Sequence, residues 1–85
     1  MSITILYFAG LREALGRGSE TVALPAGVDS TGALRAWLRQ RGGVWADQLA
    51  EGKAVRVSVD QAMAGPDTPL RTGAEVAFFP PVTGG

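Results

Sequence analysis

The sequence contains no cysteine and no histidine. The first absence excludes disulfide staples, thiolate metal sites and a thiol nucleophile. The second removes the side chain that most often serves as a general base near neutral pH, and with it the Ser-His-Asp and Cys-His arrangements. Net charge is lacking too. Eight Lys and Arg balance eight Asp and Glu, so the broad electrostatic footprint expected of a protein that binds nucleic acid or anionic lipid is missing. Partner binding should then rest mainly on shape and apolar contact. No apolar run approaches the ~20 residues needed to span a bilayer, and the opening MSITILYFAG has no basic leader. A cytoplasmic protein with no nucleic-acid and no membrane partner is expected.

What is present describes one small folded domain of 85 residues, with 46% apolar and 19% charged residues. Twelve glycines, well above the usual share of about 7%, point to many turns. Ile3 to Phe8 is rich in β-branched and aromatic residues and reads as a central strand. LREALG follows as a short helical turn ending at Gly16, and Glu20 to Leu24 alternates as a second strand forming a hairpin with the first. Ser30 is a good N-cap for the helix TGALRAWLRQRG, with Arg35, Arg39 and Arg41 facing outward and Gly42 and Gly43 closing it. VWADQLAEG is a connection with room for a further helical turn. Lys53 to Asp60 alternates Val55, Val57 and Val59 with polar residues and is the clearest half-buried strand. AMA is a short strand, and Ala74 to Phe79 is the last one. The order fits an α+β fold, a ubiquitin-like β-grasp with a mixed sheet of four to five strands and one main helix. A ferredoxin-like fold or a small open barrel is the alternative. The boundaries are a domain over residues 1–79 and an extended tail over 80–85.

Side chains suited to catalysis are sparse. Glu20, Glu51, Asp60, Asp67 and Glu75 fall in turns or on outward strand positions, with no metal-ligand or glycosidase spacing, and read as solvated surface groups. GRGS lacks the lysine and following helix of a phosphate loop. The apolar excess is more informative. A single helical layer covers one side of a small sheet, so if Ile3, Ile5, Val55, Val57, Val59, Val76 and Phe78 meet it, Leu6, Phe8 and Phe79 remain on the open side. Those three residues read as a protein-binding patch.

The chain finishes FFPPVTGG. Pro80 and Pro81 cannot continue a β-ladder and direct the chain away from the sheet. Residues 80–85, at about 3.3 Å each, reach roughly 20 Å, enough to enter another protein's active site. Val82 and Thr83 supply reach. Gly84 and Gly85 have no Cβ and can thread a narrow channel, ending on a carboxylate that needs no trimming. With Cys and His absent, that carboxylate is the candidate reactive group.

FFPPVTGG, preceded by GAEVAF, resembles the C-terminus of the MoaD family, the small, ubiquitin-like sulfur-carrier subunits of molybdopterin synthase. ILYFAGLREALG is similar to that family's first strand and turn, and GALRAWL sits where its helix begins. The resemblance implies that a MoeB-like enzyme adenylates Gly85 with ATP and magnesium, and that a sulfur donor protein supplies the thiocarboxylate. It implies that the tail then enters a MoaE-like large subunit and gives sulfur to a cyclic pyranopterin precursor of the molybdenum cofactor, within a heterotetramer. The carrier itself would bind no cofactor and no metal. Gly84 and Gly85 match the family's terminal pair, Phe8 and Phe79 its partner-contacting aromatics, and Arg12 an arginine after the first strand. Leu6, Pro80, Pro81, Val82 and Thr83 complete the expected contact surface. ThiS-like carriers for thiamine also end in two glycines, as do carriers for cysteine synthesis; these, a ubiquitin-like modifier joined to lysines through Gly85, and a binding module whose tail only docks are the alternatives.

Overall fold

A computed structural model describes residues 1–81. Its elements, in chain order, are β1 (Ser2–Tyr7), α1 (Ala9–Leu15), β2 (Ser19–Ala23), α2 (Thr31–Arg39), α3 (Gly43–Gln48), β3 (Arg56–Val59), β4 (Ala62–Met63) and β5 (Glu75–Phe79). The strands form one mixed sheet in the order β2-β1-β5-β3-β4. β1 pairs antiparallel with β2 and parallel with β5, while β3 runs antiparallel to β5 and to β4. This is the β-grasp arrangement, with the last strand returning beside the first.

The sheet is two-faced because β1 and β5 alternate. Ile3, Ile5 and Tyr7 from β1 and Val76 and Phe78 from β5 are buried, and they meet Leu34 and Leu38 of α2, Leu11 and Leu15 of α1, and Leu49 after α3. Each such side chain contributes about 1.5–3 kcal/mol on burial, so this single layer of contacts dominates the stability of so small a domain. Val57 and Val59 pack against the same cluster from β3, as their alternation predicts. That strand starts only at Arg56, three residues later than the sequence pattern suggests.

Local signals set the helix ends. Ser30 Oγ accepts from the Ala33 N–H at 3.2 Å, capping α2. Gly16 adopts the left-handed conformation that closes α1. Gly42 and Gly43 act differently from expectation: α2 already ends at Arg39, and the two glycines, both at positive φ, turn the chain into α3. Arg35 and Arg39 likewise do not simply face solvent. Arg35 donates from Nε to the Leu49 carbonyl at 2.8 Å and from Nη2 to the carbonyls of Ala50 and Lys53, and Arg39 donates to the Leu49 carbonyl. These are orphan carbonyls at and after the C-terminal end of α3, where cationic donors are favoured. Sequence periodicity carries no information about which loop lies under a helix.

Gly32 marks a close approach. Its N–H donates to the Pro66 carbonyl at 2.9 Å, and a Cβ there would lie 3.0 Å from that same backbone oxygen. Although alanine is the better helix former by about 1 kcal/mol, Gly32→Ala is expected to destabilise the domain by about 1 kcal/mol net, because the neighbour is backbone and cannot swing aside. Urea denaturation checks it; a stabilised variant would show that the Pro66 loop yields.

Candidate functional site

The open face is built by strand parity. Leu6 pairs with Ala77 and Tyr7 with Phe78 in the parallel β1–β5 ladder. Phe8 follows in extended conformation and donates its N–H to the Phe78 carbonyl at 3.1 Å, continuing the ladder by one step. Phe8 and Phe79 therefore stand side by side on the face opposite the helices. Phe8 is 46% exposed, while Leu6, Phe79, Pro80 and Pro81 are half-buried. Ala77 is too small to protrude and lies low between Leu6 and Ser58, so the patch has a shallow centre and an aromatic rim. Three residues expected to share a face do so, next to the point where β5 ends. Phe8 itself lies outside β1 and caps α1: its carbonyl accepts from the Leu11 and Arg12 N–H groups.

Ala9 takes φ 51°, a left-handed conformation that costs a non-glycine residue roughly 1 kcal/mol. It folds α1 across the end of the sheet directly after Phe8. This brings Arg12 over Gly18, where a Cβ would lie 3.0 Å from the Arg12 Nε, so the bare glycine leaves space for the guanidinium. Arg12 is exposed there. Pro80 borders a cavity of about 260 Å³ together with Leu11, Ala14, Lys53 and Val55. Arg56, paired with Phe79 in the β3–β5 register, adds an exposed cation to the open face. Sequence reading missed Lys53 and Arg56 because their position depends on which end of β3 meets the end of β5. Val82, Thr83, Gly84 and Gly85 lie outside the described residues.

Glu20 is the main correction to the reading of the acids. Its side chain is only 10% exposed and sits in a network rather than in solvent. Tyr7 donates its hydroxyl to Glu20 Oε2 at 2.8 Å, Arg41 donates to both carboxylate oxygens at 2.9 Å, and Arg17 donates to Oε1 at 3.1 Å. The Arg41 guanidinium also lies 4.3 Å from the Trp45 ring centroid, and Tyr7 meets Trp45 edge-on. The signal was available: Glu20, Val22 and Leu24 share the inward face of β2, and an inward carboxylate requires donors. Burial opposes ionisation of Glu20, but the hydrogen bonds from Arg41 and Tyr7 outweigh it and hold the carboxyl below its ordinary 4.5. Burial, then Glu20, push the Tyr7 hydroxyl far above its usual range.

The sign follows from linkage. A carboxyl whose pKa is lower in the folded state stabilises fully above its unfolded value, and that contribution fades as pH falls through the folded one. Stability should therefore decline below about pH 4.5, and Glu20→Gln should flatten that part of the profile. The same variant should cost about 2 kcal/mol at pH 7, because Arg41 loses its counter-charge. Thermal melts across pH check both; an unchanged acid limb would assign the decline to other groups.

Among the described residues, no group of three or more Asp or Glu side chains is placed to hold a metal ion, and no helix is long and apolar enough to cross a membrane. The geometry thus presents an apolar patch with cations nearby, next to the end of β5 and the Pro80–Pro81 pair that follows it. Two relatives match the chain over nearly the full length of both. The chain is 42% identical over 83 residues to the molybdopterin synthase sulfur carrier subunit of Escherichia coli (strain K12), covering 98% of this chain and 99% of that one. It is 36% identical, with the same coverage, to the sulfur carrier subunit of the same name from Haemophilus influenzae. In structure, SAMP1 from Haloferax volcanii superposes with a TM-score of 0.80 over the full length of both chains at 24% identity, a likeness of fold. The family model for ThiS matches residues 5–85, patch and tail together, and the chain belongs to the ThiS family.

Proposed function

We propose that the chain is a sulfur carrier, the small subunit of a molybdopterin synthase, acting in the cytoplasm through the Gly85 carboxylate. The observation that carries this reading is the Phe8–Phe79 pair beside the end of β5, Phe8 exposed and Phe79 half-buried, in a chain 42% identical to such a subunit over nearly its whole length. A thiamine-type carrier or a protein modifier would use a similar tail; the two full-length relatives favour the molybdopterin pathway.

The chemistry needs little from the domain. A carboxylate is a poor acyl donor until an oxygen becomes a leaving group. In an activating enzyme that holds ATP and magnesium, a Gly85 oxygen attacks the α-phosphorus, pyrophosphate departs, and an acyl-adenylate forms. The terminal sulfur of a persulfide on a donor protein then displaces AMP to give an acyl disulfide, and a thiol attacks the donor-side sulfur of that link, releasing the thiocarboxylate and leaving a disulfide on the donor side. Inside the large subunit, that sulfur forms a carbon–sulfur bond to the pyranopterin precursor as an oxygen substituent on that carbon departs, and water then cleaves the resulting thioester, leaving one of the two dithiolene sulfurs on the precursor and the free carboxylate on Gly85. The domain's part is to dock by Leu6, Phe8 and Phe79, to aim the chain through Pro80 and Pro81, and to keep Val82 to Gly85 thin enough to enter.

Intact mass after incubation with the activating enzyme, ATP and a sulfur source tests the reading. The expected result is a gain equal to exchanging one oxygen for sulfur, absent when Gly85 is deleted. Isopeptide-linked products of higher mass in its place would establish a modifier.

A further inference from the structure

The strand order leaves β2 and β4 at the edges of the sheet. β4 has only two residues and leads into Gly65 and Pro66, so little backbone is open there. β2 differs, because its ladder with β1 runs unbroken from Ser19 to Ala23. Gly18 accepts from the Tyr7 N–H at 2.9 Å and Leu24 donates to the Met1 carbonyl at 2.7 Å. The even-numbered residues of β2 therefore bond to β1, and Ser19, Thr21 and Ala23 turn their N–H and C=O groups to the free edge. All three are exposed, with small uncharged side chains. Edge strands are commonly blunted by lysine, proline or a bulge, and β2 contains none of these. Its one charge, Glu20, points to the helical side and is neutralised by Arg17 and Arg41.

We infer that β2 pairs antiparallel with β2 of a second copy of this chain, about a twofold axis through Thr21. Thr21 then lies opposite its own counterpart and Ser19 opposite the second copy's Ala23, so every outward N–H and C=O of the strand gains a partner. Glu20 falls opposite Val22, and no like charges meet. The neighbouring registers are worse. One sets Glu20 opposite Glu20, which opposes pairing; the other sets Ser19 opposite Pro25, which has no N–H to give. The strand thus supplies its own complement in length, parity and charge, which an isologous twofold contact requires. Such an axis stands normal to the sheet, so both helical layers lie on one side and both Phe8–Phe79 pairs stay uncovered on the other. The inference is therefore independent of the sulfur-carrier reading and compatible with it. A ladder this short buries less than the ~1,200–2,000 Å² of a standard interface, so the dissociation constant should be on the order of 0.1–1 mM.

Sedimentation of the full chain at low salt, from about 20 µM to about 2 mM, provides the test. The average mass should climb from 8.8 kDa towards twice that value. Thr21 is exposed, so T21K and T21E should fold, which far-UV circular dichroism verifies. Each alone sets like charges opposite each other on the twofold axis and should weaken association about fivefold. An equal mixture of the two sets opposite charges there and should associate at least as tightly as the wild type. T21P removes an outward N–H without touching the ladder to β1, and should weaken association as well. A chain of 8.8 kDa at every concentration, association that T21K, T21E and T21P leave unchanged, or a mixture no tighter than either variant alone would each overturn the pairing. If the chain stays monomeric while the large subunit slows hydrogen exchange at Ser19, Thr21 and Ala23, self-pairing is overturned and the edge is assigned to a strand of that subunit.

Discussion

Phe78→Ala is expected to cost about 3–5 kcal/mol of stability, while Phe79→Asp, one residue along, should leave the fold nearly intact and remove most of the affinity for partners. The difference is one step of strand parity. Phe78 is fully buried, stacked on Tyr7 with ring centroids 6.2 Å apart and pressed between the sheet and the helical layer. Truncation leaves a cavity in a core that has no second layer to collapse into it, in a domain whose total stability is on the order of 5–10 kcal/mol. Phe79 faces the other way. An aspartate there would lie opposite Arg56 in the antiparallel register, so the pair offsets the lost apolar contact and the net cost should stay below about 1 kcal/mol. Binding is another matter: a charge in place of an aromatic ring of an apolar interface should cost about 2 kcal/mol or more, about 30-fold in affinity. Chemical denaturation and titration calorimetry of both variants against the large subunit separate the effects. Equal loss of stability in both would mean that the open face is part of the core.

The second large effect concerns the tail. Gly84→Val should leave thermal stability unchanged and lower adenylation by about 100-fold or more, since a misplacement of about 1 Å at a reacting group costs that much. The β-branched side chain widens the tail and restricts its backbone at the residue before the reacting carboxylate. Pro80→Gly should do far less, because it alters aim rather than width. Adenylate formation monitored by pyrophosphate release measures both. A Gly84→Val chain that reacts as the wild type does would show that the channel is not narrow and that the tail does not need glycine there.

Much of this was legible in the sequence. Period-two alternation in β1 and β5 placed Ile3, Ile5, Val76 and Phe78 inside and Leu6, Phe8 and Phe79 outside, and the structure agrees. Ser30 and Gly16 marked helix ends for reasons local to the backbone. What was not legible depended on contacts far apart in sequence. Glu20 is satisfied by Arg41, twenty-one residues away, and Arg35 by carbonyls fourteen and more residues away. Lys53 and Arg56 join the tail exit only because β3 runs antiparallel to β5. A net charge of zero says nothing about where the charges lie.

The most direct measurement of the central claim is a single-turnover discharge. The thiocarboxylated chain, with its sulfur placed on Gly85 by fragmentation of the C-terminal peptide, is mixed with the large subunit and the cyclic pyranopterin precursor and followed by intact mass. The carrier should return to the mass of the free carboxylate as the precursor gains sulfur, and only when both components are present. A carrier that keeps its sulfur under those conditions, or loses it equally without the precursor, would contradict the account.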